Sequence, residues 1–150
     1  MVKEKQLQYY EAVGRRRESV ARVRLYLVAK DGLATIDAKK YKKGSVVVNN
    51  KPLEEVYSHA AEKAVLLKPL LLTGNDERFV VSIRLAGGGH VGQLEAAILG
   101  IARAIEKTDK ETHRPILKKE GLLSRDPRTR ERRMPGTGGK SRRQKQSPKR

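Results

Sequence analysis

The sequence predicts an α+β domain that continues into a long basic extension, and three observations carry that reading. Residues 19–28 alternate, with Ala21, Val23, Leu25 and Leu27 on one side and Arg22, Arg24 and Tyr26 on the other. Phe79, Val81, Ile83 and Leu85 repeat the pattern. Period two with one apolar face is the mark of a half-buried antiparallel strand. Val91, Leu94, Ile98, Ile101 and Ile105 then fall at steps of three and four, the stripe of an amphipathic helix. Residues 125–150 hold eleven Lys/Arg, two acidic residues and a single large apolar side chain, Met134. With so little to bury, that segment cannot offset the entropy of ordering its own backbone. The expected organisation is a globular domain over residues 1–124 and an extended tail over residues 125–150.

The elements are expected in the following order. Residues 7–13 have strand character and are broken by Gly14, so that with residues 19–28 they form a hairpin whose connection carries Arg15, Arg16 and Arg17. Asp31-Gly32 signals a turn, and residues 33–36 are a short strand. Residues 39–43 are a basic excursion before the β-branched run Val46, Val47 and Val48. Asn49 to Pro52 is a turn, with Pro52 suited to the first turn of a helix through Glu55. Residues 59–67 are helical, Pro69 ends or kinks that helix, and residues 70–73 form a second short one before Gly74. The strand at residues 79–85 breaks at Gly87-Gly88-Gly89 and gives way to the striped helix, which Thr108-Asp109 closes. A last short helix is expected over residues 115–120.

Composition narrows the function. The formal net charge is +17 and the pI near 10.4; the tail carries nine of those charges and the body eight. A single-signed run attached to a basic body suits a polyanionic partner, nucleic acid above all. There is no cysteine, hence no thiolate metal site. The polar start and short apolar runs predict no signal peptide, no membrane partner and a cytoplasmic location. His59, His90 and His113 fall in no metal-ligand spacing, so neither metal nor other cofactor is expected. Six aromatics without clustering make no stacking platform for single strands.

Three features carry the candidate interface. Arg15, Arg16 and Arg17 at the hairpin tip, with Arg22 and Arg24 on the exposed strand face, gather guanidiniums that can hold phosphate bidentately. Gly87, Gly88 and Gly89, followed by His90, open a helix N-terminus where free N–H groups favour an anion, although a tight turn needing positive φ would use the same glycines. Gly92, Ala96 and Gly100 form a smooth stripe on the helix, suited to close packing on a neighbouring element or, alternatively, to an RNA backbone. The loop lacks the Lys-Ser/Thr of a Walker motif and the spacing of a dinucleotide fingerprint.

Together these residues resemble a known family, the bacterial-type ninth protein of the small ribosomal subunit. The stretch from Tyr9 to Leu25, Tyr-Tyr-Glu-Ala-Val-Gly-Arg-Arg-Arg-Glu-Ser-Val-Ala-Arg-Val-Arg-Leu, resembles its opening hairpin. Arg84-Leu-Ala-Gly-Gly-Gly-His-Val-Gly-Gln93, continuing through Gly100 to Ile105, resembles its glycine loop and helix. Arg114-Pro-Ile-Leu-Lys-Lys-Glu-Gly-Leu-Leu-Ser-Arg-Asp-Pro-Arg128 resembles its most distinctive block. The resemblance implies a mixed four- to five-stranded sheet with helices packed on one face and a left-handed βαβ crossover, an exception to the usual hand. It implies a structural, non-catalytic protein that binds rRNA in the subunit head beside neighbouring head proteins. The contacts it implies add Gln93, Arg103, Arg114, Lys118, Lys119, Arg125 and Arg128 to the hairpin and loop, and Arg130, Arg132, Arg133, Lys140, Arg142, Arg143 and Lys145 along the tail. Lys149 and Arg150 are implied to meet the P-site tRNA. This chain departs from the family pattern in ending Ser147-Pro-Lys-Arg150 without a preceding aromatic residue, and in a longer segment over residues 37–47. The same fold occurs in small-molecule kinases, so a nucleotide-binding enzyme using Gly87 to Gly92 is the rival from another class, and a free nucleic-acid-binding module is the third reading.

The tail composition has a direct consequence in solution. In limited proteolysis of the free protein, residues after about Pro127 should be cut first, and they should be protected once rRNA neutralises them.

Overall fold

A computed structural model describes residues 8–28, 33–36, 39–135, 139 and 141 of the chain. Five strands form one mixed sheet in the order β1-β2-β7-β5-β6. These are β1 (Tyr9–Arg16), β2 (Ser19–Leu27), β7 (Phe79–Ala86), β5 (Val46–Val48) and β6 (Lys51–Pro52), while β3 (Leu33–Ile36) and β4 (Lys39–Lys42) pair as a separate hairpin. All neighbours are antiparallel except β5 and β7, which run parallel and are joined through the helices α1 (Leu53–Val56) and α2 (Ala60–Leu72). Two more helices follow the sheet, α3 (His90–Thr108) and α4 (Lys110–Lys119).

Side-chain alternation assigns the two sheet faces. The register sets Ala12 opposite Val23, Val23 opposite Ile83, and Leu25 opposite Val81, so these residues share a face. That face is buried under the helices: Ala21, Val23, Leu25, Phe79, Val81 and Ile83 pack with Ala97, Ile101, Ala104 and Ile105 of α3, Leu66 and Leu70 of α2, and Leu117 of α4. On the opposite face a smaller cluster, Tyr26, Val80, Ala34 and Ile36, is closed by the β3–β4 hairpin at one end only. Among the described residues no helix lies on the rest of that face.

Helix α3 lies tightly on the β1–β2 hairpin because glycine meets glycine there. A Cβ on Gly14 would stand 2.0 Å from the Ala96 carbonyl oxygen and 2.5 Å from the Gly100 nitrogen, and one on Gly100 would stand 2.7 Å from Val23 Cγ2. The stripe of small residues is therefore a packing seam. The apolar stripe is displaced from where its spacing suggests: Ile101 and Ile105 are fully buried, but Val91 is 64% exposed. The burial falls instead on Ala96, Ala97, Gly100, Ala102 and Ala104.

Several boundaries differ from the sequence expectation. Residues 39–42 are not an excursion but strand β4, because the exposed lysines alternate around Tyr41 and pair with β3. Pro69 neither ends nor breaks α2, which runs unbroken to Leu72; Leu66, Pro69 and Leu70 are all buried, and that burial outweighs the one helical N–H that proline lacks. The helix stops instead at Gly74, whose φ of +62° turns the chain so that the Asn75 N–H reaches the Leu70 carbonyl at 3.0 Å. Helix α4 starts five residues earlier than Pro115, since the Asp109 side chain accepts from the Glu111 and Thr112 N–H groups at 3.1 and 3.3 Å. Asn49 and Asn50, both at positive φ, make the turn that returns β6 beside β5. The expected turn at Asp31-Gly32 lies outside the described residues.

Gly14→Ala should lower stability by about 2 kcal/mol or more, since the methyl can only be accommodated by moving α3 off the sheet. Gly89→Ala, where nothing lies within 4 Å and φ is −111°, should be close to neutral. Urea denaturation midpoints of the two variants check the contrast.

Candidate nucleic-acid interface

The uncovered part of the sheet is arginine-rich. Strand alternation sends Arg22 and Arg24 of β2 to this face, and the register adds Arg84 of β7 directly opposite Arg22, with Ser82 opposite Arg24. Arg22, Arg24 and Arg84 line one shallow cleft with Tyr26, Ile36 and Ser82. Arg24 is partly engaged already, donating to Glu11 Oε2 at 2.5 Å and lying 4.7 Å from the Tyr9 ring centre. The carboxylate of Glu11 holds the Arg24 pKa above its ordinary value. Arg84 was not among the candidates read from sequence, because only the β2–β7 register reveals its neighbour.

The three arginines of the hairpin tip do not act together. Arg15 and Arg17 are exposed, whereas Arg16 is 7% exposed and faces α3, on the side of Ala12 and Gly14. Its guanidinium bonds Glu95 of α3 and lies 2.9 Å from Asp126 Oδ1. The expectation of guanidiniums gathered on one side is corrected accordingly: period two turns the middle one inward. Arg17 occupies the left-handed region at φ +50°, in the two-residue hairpin turn where glycine is the usual resident. Holding a long side chain there costs about 1 kcal/mol or more.

The glycine loop is pressed against that tip. Gly87 and Gly88 have φ of +70° and +64°, and a Cβ on them would stand 2.5 Å from the Glu18 carbonyl oxygen and 1.9 Å from Ser19 Oγ. The turn and the close approach account for both glycines. Gly89 is the exposed N-cap of α3, with no side chain capping the first turn and no acidic residue in it. Gln93 ties the loop down by donating to the Gly87 carbonyl at 3.0 Å. His90 reaches α2, with Nε2 2.9 Å from Glu62 Oε1 and its ring 5.0 Å from that of Tyr57.

Other expected contacts serve the fold. Arg103 donates to the Val13 carbonyl at 3.2 Å, and Lys107, one turn on, to the Glu11 carbonyl at 2.7 Å. Arg114 pairs with Glu106 at 3.0 Å. Lys110, Arg114 and Lys118 share one exposed side of α4 at steps of four, with Lys119 exposed beside them. Lys110 joins this group only because α4 begins so early, which is why spacing alone missed it. Arg125, Arg128, Arg130, Arg132 and Arg133 are exposed and belong to no helix or strand. Arg128 is held bidentately by Asp126. Lys140, Arg142, Arg143, Lys145, Lys149 and Arg150 lie outside the described residues.

Among the described residues no group of three or more His, Cys, Asp or Glu side chains could hold a metal ion, and no helix is long and apolar enough to cross a membrane. A comparison with known families matches residues 14–150 to the one described as ribosomal protein S9/S16. The chain belongs to that family. Among curated relatives, a small ribosomal subunit protein uS9 of Dehalococcoides mccartyi is 41% identical over 128 residues, covering 85% of this chain and 86% of its own length. The protein of that name from Chlorobium limicola is 43% identical over 122 residues, covering 81% and 83%. The ribosomal protein S9/S16 family is structural and non-enzymatic. The rival reading of Gly87 to Gly92 as a nucleotide-holding catalytic loop is thereby set aside.

One group beside the S9/S16 glycine loop has a measurable signature. Tyr57 is 1% exposed, its hydroxyl has no hydrogen-bond partner among the described residues, and burial, then the nearby Glu62 carboxylate, push its pKa above the ordinary 10.0. A pKa raised by folding means that the stabilising preference is present below pH 10 and is lost as pH rises through the higher folded value. Ultraviolet titration of the five tyrosines should show one late step that disappears in Tyr57→Phe, a change that leaves stability equal or higher.

Proposed function

We propose that the chain is a structural constituent of the small ribosomal subunit that binds rRNA through its uncovered sheet face, hairpin tip and tail, and whose last residues help to hold the P-site tRNA. The observation that carries this reading is the opposition of Arg22 and Arg84, with Arg24 beside them, on a sheet face that no helix among the described residues covers. Guanidiniums match phosphate oxygens in shape and can hold them bidentately. The names of the curated relatives support membership of the small subunit, and the net charge of +17 supports a polyanionic partner. Head proteins adjoining the bound rRNA are the expected protein neighbours. A free nucleic-acid-binding module would share the salt sensitivity but would not sediment stoichiometrically with small subunits.

Replacing Arg15, Arg22 and Arg84 together by Ala should weaken rRNA binding and flatten its salt dependence. Each lost phosphate contact should take about 0.7–0.9 from the slope of log K against log salt. A slope equal to that of the parent would show these arginines to be solvated. Deleting Lys149 and Arg150 should leave subunit assembly intact, since nine of the tail's eleven basic residues remain. It should speed release of P-site tRNA from small subunits at matched salt, by an amount corresponding to about 1–3 kcal/mol.

A further inference from the structure

Arg16 stands apart from the arginines that face outward. Its side chain is 8% exposed, so a phosphate could reach the guanidinium only after the surrounding contacts had opened. Nε donates to Glu95 Oε2, and Nη1 lies 2.9 Å from Asp126 Oδ1. Nη1 also faces the carbonyls of Asp126 and Arg128, at 3.5 and 3.4 Å. Asp126 in turn accepts from the backbone N–H of Arg128 at 3.0 Å and from its guanidinium at 2.6 Å. Arg128 first, and Arg16 after it, hold the Asp126 carboxyl below the usual carboxylate range, so it stays ionised at physiological pH. Two cations and two carboxylates make a neutral cluster, which exerts no net pull on a polyanion.

What the cluster joins is strand β1, helix α3 and the first residues of the tail. Leu122 and Leu123, just before it, are half-buried against the main core. From Pro127 to Pro135 every residue is exposed. Arg16 thus grips the chain where burial gives way to exposure.

We propose that Arg16 is a positioning residue for the tail: it clamps residues 126–128 against β1 and α3 and so fixes the point and direction from which the tail's cations leave the body. The proposal rests on the reading that the tail meets RNA. Without the clamp the tether lengthens and its starting direction becomes free, which lowers the effective concentration of every cation further along. Arg16 itself contacts no phosphate.

Two variants of the full-length protein test this. Arg16→Met keeps the side-chain length and removes every donor. Asp126→Asn leaves Arg16 on Glu95 and weakens only the tail half of the clamp, so it answers even where Arg16→Met does not fold. In the free protein, tryptic cleavage after Arg128 should rise about tenfold in both, as expected when a local opening becomes easier. Rates are normalised to a peptide of residues 122–135 carrying the same tail sequence, and the melting transition of Asp126→Asn should stay near that of the parent. The salt slope of rRNA binding should be unchanged in Arg16→Met, whereas a phosphate ligand would lose about 0.7–0.9. Small subunits containing Asp126→Asn should release P-site tRNA faster, as should those containing the chain without Lys149 and Arg150. Unchanged cleavage after Arg128, or a shallower slope in Arg16→Met, overturns the clamp. Increased cleavage with tRNA release unaltered by both Asp126→Asn and the truncation leaves the clamp in place and removes the tRNA role of the tail.

Discussion

Gly14 of β1 and Gly100 of α3 meet with no side chain between them, and the placement of every other functional element depends on that backbone contact. Because the helix lies so close, Ala96 and Gly100 can form a seam along the hairpin, and the residues of β1 that alternate with Gly14 are directed to the opposite face. The same closeness brings Glu95 within reach of Arg16 and presses Gly87 and Gly88 onto Glu18 and Ser19. All three helices that bury large side chains pack on one side of the sheet, which leaves Arg22, Arg24 and Arg84 on the other. A larger residue at either glycine would disturb the geometry of the arginine face without touching an arginine.

The positive charge divides into two populations. Arg16, Arg24, Arg114 and Arg128 each have a carboxylate partner within the chain, and Arg103 and Lys107 satisfy backbone carbonyls. These groups stabilise the fold or the tail root. Arg15 and Arg17 are exposed at the tip, and Arg22 stands opposite Arg84 in the β2–β7 register on the open face. Net charge describes attraction at a distance; it does not say which of these cations face outward.

Strong periodicity made β2, β7 and α3 legible from the sequence, and the tail from its composition. What escaped were properties that depend on contacts between distant segments. Arg84 could be placed opposite Arg22 only once β7 was known to lie beside β2. Arg16 reads as one of three equivalent arginines until strand alternation is combined with the position of Glu95. Local preference makes Pro69 and Pro115 helix boundaries, yet burial of Leu66, Leu70 and Leu117 carries both helices through them. The start of α4 was in principle visible, since Asp109 stands where an N-cap would, two and three residues before the N–H groups it accepts from. The family resemblance identified the chain, but it could not separate arginines that serve the fold from those that face out.

Arg103 and Lys107 occupy outward carbonyls of β1, while the opposite border of the sheet is the two-residue strand Lys51–Pro52. A sheet border with free carbonyls and N–H groups is a template on which another chain can add a strand. Here one border is covered by cations from the chain's own helix, and the other is short, charged and closed by a residue that cannot donate. Both borders are thereby poorer templates for lateral addition of a second copy. Strand addition at the β1 border would bury the very hairpin on which the arginine face is built.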